Sequence, residues 1–274
     1  MEGFKNNLIS EIVEISKVAG KEILRIYNGE EFNIISKADN SPLTQADIAS
    51  HTIIKEALSE ISPSIPILSE EESEISFKER SRWRKYWLVD PLDGTKEFIN
   101  RNGEFTVNIA LIEDNKSIMG VVHIPCEKQT FFGDSENGSF VIDENNKVDR
   151  LNINKKNDDQ ILLVSRSHLS EDQRKFLSIQ DDFKVMNRGS SLKFCLVASG
   201  IADIYMRLGP TSEWDTAAGE AVVKFAGGIV MNIDRSEIKY NKKSHFRNKH
   251  FIAAKNKKAY EKSMSLIKAM NASE

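Results

Sequence analysis

Two aspartates, Asp90 and Asp93, stand in the run Trp87-Leu88-Val89-Asp90-Pro91-Leu92-Asp93-Gly94-Thr95. Ionised carboxylates are oxygen donors suited to hard divalent cations. The apolar triplet before them reads as a strand that delivers both acids. Pro91 is expected to stop that strand, because it has no N–H to give a ladder. Gly94 permits a tight turn. Thr95, Lys96 and Glu97 can then open a short helix whose N–H groups suit a phosphate. A cation site beside a phosphate site points to metal-assisted phosphoryl chemistry. The same residue types are also ordinary turn formers, so the run needs support from the rest of the chain.

More acids stand at the ends of expected elements. Glu70 follows the apolar run Ile65-Pro66-Ile67-Leu68, as Asp90 follows the Trp87 run. If those two strands are neighbours, the acids converge. Asp215 opens a helix in Glu213-Trp214-Asp215-Thr216-Ala217-Ala218-Gly219, where it could serve as N-cap. Asp47 falls in the first turn of a helix starting at Thr44, where an acid complements the dipole. Each has an adequate structural role by itself. Together with Asp93 they make five acids at element ends beside a phosphate-suited turn.

The elements that must position them follow from periodicity. Residues 4–27 carry a helical apolar stripe ended by Asn28-Gly29, and 32–37 alternate as a strand. A polar loop covers 38–43, and a second amphipathic helix runs from Thr44 to about Glu60. Val107–Ile112 and Ile118–Ile124 form an expected hairpin, continued by Thr130-Phe131-Phe132. Beyond about Leu151 strands at 161–164, 183–186, 202–205 and 229–231 alternate with helices at 171–177, 191–199 and 213–226, with a terminal helix at 257–270. The expected organisation is therefore an α+β half, residues 1–150, and an α/β half, residues 151–274.

Composition excludes some roles. The chain has 274 residues and a formal net charge of -3, so global charge gives no reason to expect nucleic acid. The lysine-rich stretch 239–258 reads as a solvated surface. Cys126 and Cys195 form no metal or disulfide pattern and both read as buried thiols. There is no signal-peptide pattern and no apolar run near the ~20 residues that span a bilayer. A cytoplasmic protein is expected, with weak peripheral attachment to the inner membrane face left open and the oligomeric state undetermined.

On these residues the chain resembles the inositol monophosphatase superfamily of lithium-sensitive, magnesium-dependent phosphatases. The carriers are Asp90-Pro91-Leu92-Asp93-Gly94-Thr95, Trp214-Asp215-Thr216-Ala217-Ala218-Gly219, Ser69-Glu70-Glu71 and Thr44-Gln45-Ala46-Asp47, in the family's order. The segments 37–44, Val164–His168, Gly189–Lys193 and Leu208–Asp215 resemble the bacterial 3′(2′),5′-bisphosphate nucleotidase branch; Met206 stands where that branch carries proline. The resemblance implies a layered α/β/α/β/α sandwich. It implies two or three Mg²⁺ held by Glu70, Asp90, Asp93, Asp215 and the Leu92 carbonyl. It makes Thr95 and Asp47 the pair that activates water, and gives the Gly94 and Thr95 amides the scissile phosphate. It sets the nucleoside against Ser165, His168, Gly189 and Lys193, with Lys193 and Arg207 near the second phosphate. The implied reaction is hydrolysis of adenosine 3′,5′-bisphosphate to AMP and phosphate, as in sulfur assimilation. An inositol monophosphatase and a catalytically silent phospho-ligand binder are the alternatives.

Overall fold

The computed structural model describes residues 7–29, 34–36, 42–155 and 159–272. The expected strand at 32–37 is described for Ile34–Ser36 only, and 37–41 of the nucleotidase-like segment lie outside the described residues.

In chain order come α1 (Asn7–Tyr27), β1 (Ile34–Ser36), β2 (Pro42–Thr44), α2 (Gln45–Ile61), β3 (Ile67–Ser69), α3 (Phe77–Arg80), β4 (Lys85–Asp93), α4 (Thr95–Ile99), β5 (Thr106–Glu113) and β6 (Lys116–Ile124). There follow β7 (Gln129–Asp134), β8 (Gly138–Ile142), β9 (Val148–Arg150), β10 (Ile161–Ser165), α5 (Glu171–Ile179), β11 (Lys184–Arg188) and α6 (Leu192–Ala198). The chain closes with β12 (Ile204–Arg207), α7 (Glu213–Phe225), β13 (Ile229–Asn232), β14 (Phe251–Ala254) and α8 (Lys257–Ala272).

Strands β3 to β9 lie in sequence order in one seven-stranded sheet. Only β3 and β4 in it run parallel, so Ser69 sits opposite Val89 and the two strands carry their acids in one direction. The expected hairpin is present as β5 and β6, turned by Asp114 and Asn115 in left-handed conformation. A second sheet has the order β11-β10-β12-β14-β13. β10 pairs in parallel with β11 and β12, whereas β14 is inserted antiparallel between β12 and β13. The second half is thus a mixed sheet, not simple strand–helix alternation. The four-residue run Phe251–Ala254 carried too little period to announce β14. Met206 lies inside β12, opposite Ile252.

Three apolar clusters define the layers. α1 and α2 pack one face of the large sheet through residues such as Ile12, Ile23, Ile54, Trp87 and Val121. α6 and α7 fill the space between the sheets, where Phe194, Ala218 and Val222 meet Leu88, Val122 and Phe251. α5 and α8 cover the outer face of the second sheet with Phe176, Ile267 and Met270. The order is α/β/α/β/α. The middle layer needs small residues: a Cβ on Gly120 of β6 would fall 2.3 Å from the Ala218 carbonyl of α7.

Two expectations change here. Pro91 does not end β4, which continues to Asp93 with a register shift between Asp90 and Asp93. β3 has already stopped at Ser69, and on the other side the pairing with β5 is broken between Asp90 and Asp93, so neither ladder asks Pro91 for an N–H and the irregularity accommodates the ring. Cys126 is exposed in the turn between β6 and β7, while Cys195 is buried as expected.

α7 also buries an ionisable group away from the cavity described below. Glu220 accepts a 2.5 Å hydrogen bond from the Tyr240 hydroxyl, and burial pushes its pKa up from 4.5 to about 7. The neutral acid is the form the fold prefers. Its stabilising contribution is therefore complete below pH 4.5 and is lost as pH rises through about 7. Glu220→Gln should unfold at least about 2–4 °C above the wild type near pH ~8.5, with the gap closing towards pH ~5. Thermal melts across pH would check it, and a gap that widens on acidification would contradict it.

Candidate active site

The candidate site lies at the ends of β3 and β4 and the starts of α4 and α7. Two local devices set its acids. Thr44 caps α2, and Asp47 reaches back to the Thr44 N–H at 2.8 Å. Ser212 caps α7, and Asp215 reaches back to the Ser212 N–H at 2.8 Å. Both are capping boxes. Asp215 is thus not the N-cap itself; it is the third residue of the helix, held by the cap.

At the end of β4 the register shift turns the chain so that Leu92 N–H donates to Asp90 at 3.1 Å. Gly94 follows with φ +94°, a conformation that favours glycine, and α4 starts at Thr95. Carboxylate oxygens of Asp90, Asp93 and Asp215 all come within 4.8 Å of one another. Glu70, in the turn after β3, lines the same cavity but stands outside that close triad. Burial, then Glu70, Asp93 and Asp215, hold the Asp90 carboxyl well above the ordinary range. Burial, then Asp93 and Glu70, do the same for Asp215. Buried acids at this spacing repel one another when ionised. Hard oxygen donors in such a cluster fit a divalent cation.

Thr95 Oγ1 donates to Asp47 Oδ1 at 3.2 Å, so the sequence-predicted pair is in contact. The other Asp47 oxygen takes the Thr44 hydroxyl at 2.6 Å. Asp47 is therefore fixed by its helix while facing Thr95.

The cavity holds about 550 Å³ and reaches from these acids to the second sheet. Ser165, His168, Lys193 and Arg207 line it with Leu92, Gly94 and Thr95. Burial, then the Lys96 and Arg207 charges, push the His168 pKa down, favouring neutral imidazole. Lys193 is buried and donates to the carbonyls of Arg188 at 3.1 Å and Ser190 at 2.6 Å. Burial pushes its ammonium down to about 8. Arg207 donates to the carbonyls of His168 at 2.9 Å and Pro210 at 2.8 Å. Gly189 is not in the wall; it packs behind it against Glu97 and Glu104.

Sequence reasoning missed several members. Ser190 and Ser191 both donate to Asp93 Oδ2, at 2.8 Å and 2.9 Å from their hydroxyls and 2.7 Å from Ser191 N–H. They tie an acid of the first half to the start of α6. Arg247 reaches the wall because its segment runs antiparallel to 211–213, bridged to Ser212. Paired serines on a Gly-Ser-Ser turn were a visible signal; nothing local marks Arg247.

A sequence model of the inositol monophosphatase family matches residues 5–272. The chain belongs to the inositol monophosphatase family. Similar curated members include the 3′(2′),5′-bisphosphate nucleotidase CysQ of Shigella flexneri, 42% identical over 89% of this chain and 98% of its own. The CysQ nucleotidase of Buchnera aphidicola is 42% identical over 90% of this chain and 93% of its own. Among solved structures, CysQ of Bacteroides thetaiotaomicron superposes with TM-score 0.82 at 36% identity, over 93% of this chain and 99% of that one. A Thermotoga maritima inositol monophosphatase has TM-score 0.81 at 20% identity, over 98% of this chain and 99% of that one, a likeness of fold. In this chain it is the middle layer of α6 and α7 that brings α7 and its aspartate to the ends of β3 and β4. No helix of the described residues is long and apolar enough to cross a membrane.

Proposed function

We propose that this family member hydrolyses the 3′-phosphate of adenosine 3′,5′-bisphosphate to give AMP and phosphate. The observation that carries the reading is one cavity that joins the Asp90–Asp93–Asp215 cluster to Ser165, His168 and Lys193. The similar curated CysQ proteins carry the name bisphosphate nucleotidase, which fits a cavity with room beyond the acids.

Glu70, Asp90, Asp93, Asp215 and the Leu92 carbonyl would hold Mg²⁺, two or three ions in the family resemblance. Bound Mg²⁺ supplies charge neutralisation at the phosphate and at the leaving oxygen. The remaining work falls to the chain. The Thr95 hydroxyl spends its proton on Asp47, which leaves its oxygen lone pairs to accept from a water. A proton taken from that water can pass along Thr95 to Asp47, a general-base pair. The Gly94 and Thr95 amides orient the scissile phosphate. Ser165 and neutral His168 face the nucleoside. Lys193 has a third donor left for the second phosphate, with the Arg207 charge beside it. By-product clearance in sulfur assimilation is the role this activity would serve, with the enzyme acting in the cytoplasm.

The test compares phosphate release from adenosine 3′,5′-bisphosphate and from inositol 1-phosphate, each with and without Mg²⁺. The expected result is Mg²⁺-dependent turnover with kcat/KM at least about 10-fold higher for the bisphosphate, the advantage of ~1.4 kcal/mol from one added charged contact. Preference for the inositol phosphate would replace this reading with the monophosphatase one. Binding of either phosphate without turnover would replace it with a silent binder.

A further inference from the structure

A second pair of carboxylates, Glu97 in α4 and Glu104 just before β5, has no place in the chemistry above, although Glu97 lines the cavity. Neither belongs to the metal-type triad. Both reach across to the second half of the chain. Glu104 accepts two 2.7 Å hydrogen bonds from the Arg166 guanidinium, one on each oxygen. Its Oε2 also accepts the Gly189 N–H at 2.7 Å. Glu97 Oε2 accepts the Ser167 hydroxyl at 2.9 Å and is steadied by Asn102 Nδ2 at 3.0 Å.

These contacts sort a tetrapeptide. In Ser165-Arg166-Ser167-His168 the two middle side chains are taken by the acids. The two outer ones, Ser165 and His168, line the cavity. The second segment is sorted in the same way. Gly189 is pulled in by its N–H, and a Cβ there would lie 2.7 Å from both the Glu104 carbonyl and Glu97 Cγ. The next residue, Ser190, then takes a left-handed φ of +51° that non-glycine residues rarely adopt. Its hydroxyl goes to Asp93, and its carbonyl receives Lys193. Bidentate arginine–carboxylate pairs fix geometry as well as distance. Glu104 is 13% exposed and Arg166 41%, so the carboxylate is held inside while the guanidinium closes over it from the solvent side.

We propose that Glu104 is a specificity-determining positioning residue: by holding Arg166 and Gly189 together it presents the nucleoside-facing side of the cavity. This rests on the nucleotidase reading. Glu104 touches no reacting atom, and the Thr95–Asp47 pair is built without it; of the acid triad only Asp93 meets the latched segment, through Ser190, and Asp93 also holds the Ser191 N–H and hydroxyl. A substrate that uses only the phosphate end of the cavity needs neither Ser165 nor His168, and meets the latched segment only through Asp93, which Ser191 also holds.

The experiment measures kcat and KM of wild type, Glu104→Gln, Arg166→Met and the double variant on adenosine 3′,5′-bisphosphate and on p-nitrophenyl phosphate, with Mg²⁺. Glu104→Gln keeps the shape and removes the charge. It should raise KM for the bisphosphate about 10- to 100-fold, the range of a lost charged hydrogen bond, with kcat on p-nitrophenyl phosphate within about threefold of wild type. Arg166→Met should do the same, and the double variant should be no worse than the poorer single one. Equal losses on both substrates would reduce Glu104 to a folding role and overturn the proposal. So would unchanged bisphosphate KM in both single variants, or additive losses in the double. If wild type itself fails to hydrolyse the bisphosphate, the nucleotidase reading falls and takes the proposal with it. Normal wild-type turnover with an indifferent Glu104→Gln sinks the latch alone.

Discussion

Thr95→Ala and Asp47→Asn should each lower kcat by about 10²–10⁴-fold, the contribution of a positioned general base. Metal affinity should survive, because neither side chain belongs to the acid triad. The contact to be broken is the 3.2 Å hydrogen bond from Thr95 Oγ1 to Asp47 Oδ1. Asp47 also has a second task. Its other oxygen holds the Thr44 N–H and hydroxyl at the start of α2. A purely structural Asp47 would cost ~1 kcal/mol of stability on substitution and leave turnover nearly normal. Thr95→Ala separates the two roles, since Thr95 takes no part in the α2 cap. Steady-state kinetics with Mg²⁺ titration reads both quantities. Near-normal kcat in Thr95→Ala would remove the water-activating assignment, whatever Asp47→Asn does.

Metal should transform the stability of the protein as well as its activity. Asp90 is buried and Asp215 half-buried, and each is held above the ordinary carboxylate range by desolvation and by neighbouring acids. The sign follows directly. Their folded-state pKa values lie above the unfolded ones, so the metal-free fold is fully favoured at low pH and loses stability as pH rises through the carboxylate range and beyond. Bound Mg²⁺ reverses this by pairing with the ionised acids. At a hundred times Kd the ligand adds about 2.7 kcal/mol, or roughly 5–10 °C in a chain of this size. Asp90→Asn removes one repelling charge from the cluster. In chelator at neutral pH it should therefore melt higher than the wild type, yet show little Mg²⁺ response and almost no turnover. Calorimetric scans with chelator and with Mg²⁺ check this. An Asp90→Asn variant that is less stable than wild type in chelator and still gains from Mg²⁺ would contradict the cluster as a cation site. Full wild-type turnover in excess chelator would contradict the chemistry.

What the sequence determined by itself is local. The strand, turn and short helix around Asp90–Glu97 were legible because an apolar run, a glycine and a helix start lie side by side. Thr44 with Asp47 was legible as a helix start with an acid in its first turn; that the two close a reciprocal cap came with the structure. Even there the detail needed the structure, since Asp215 proved to be held by Ser212 and not to be the cap. The four-motif resemblance carried the site further than periodicity could. The tertiary structure alone decided the rest. Pro91 is tolerated inside β4 because β3 has already ended and the register with β5 breaks there, facts about its neighbours and not about proline. β14 enters between β12 and β13, an order that successive periods do not encode. Ser191 meets Asp93 from 98 residues away, and Arg166 meets Glu104 from 62. Such pairs depend on sheet order, strand register and the packing of α6 and α7 between two sheets, which exist only once the whole chain has condensed.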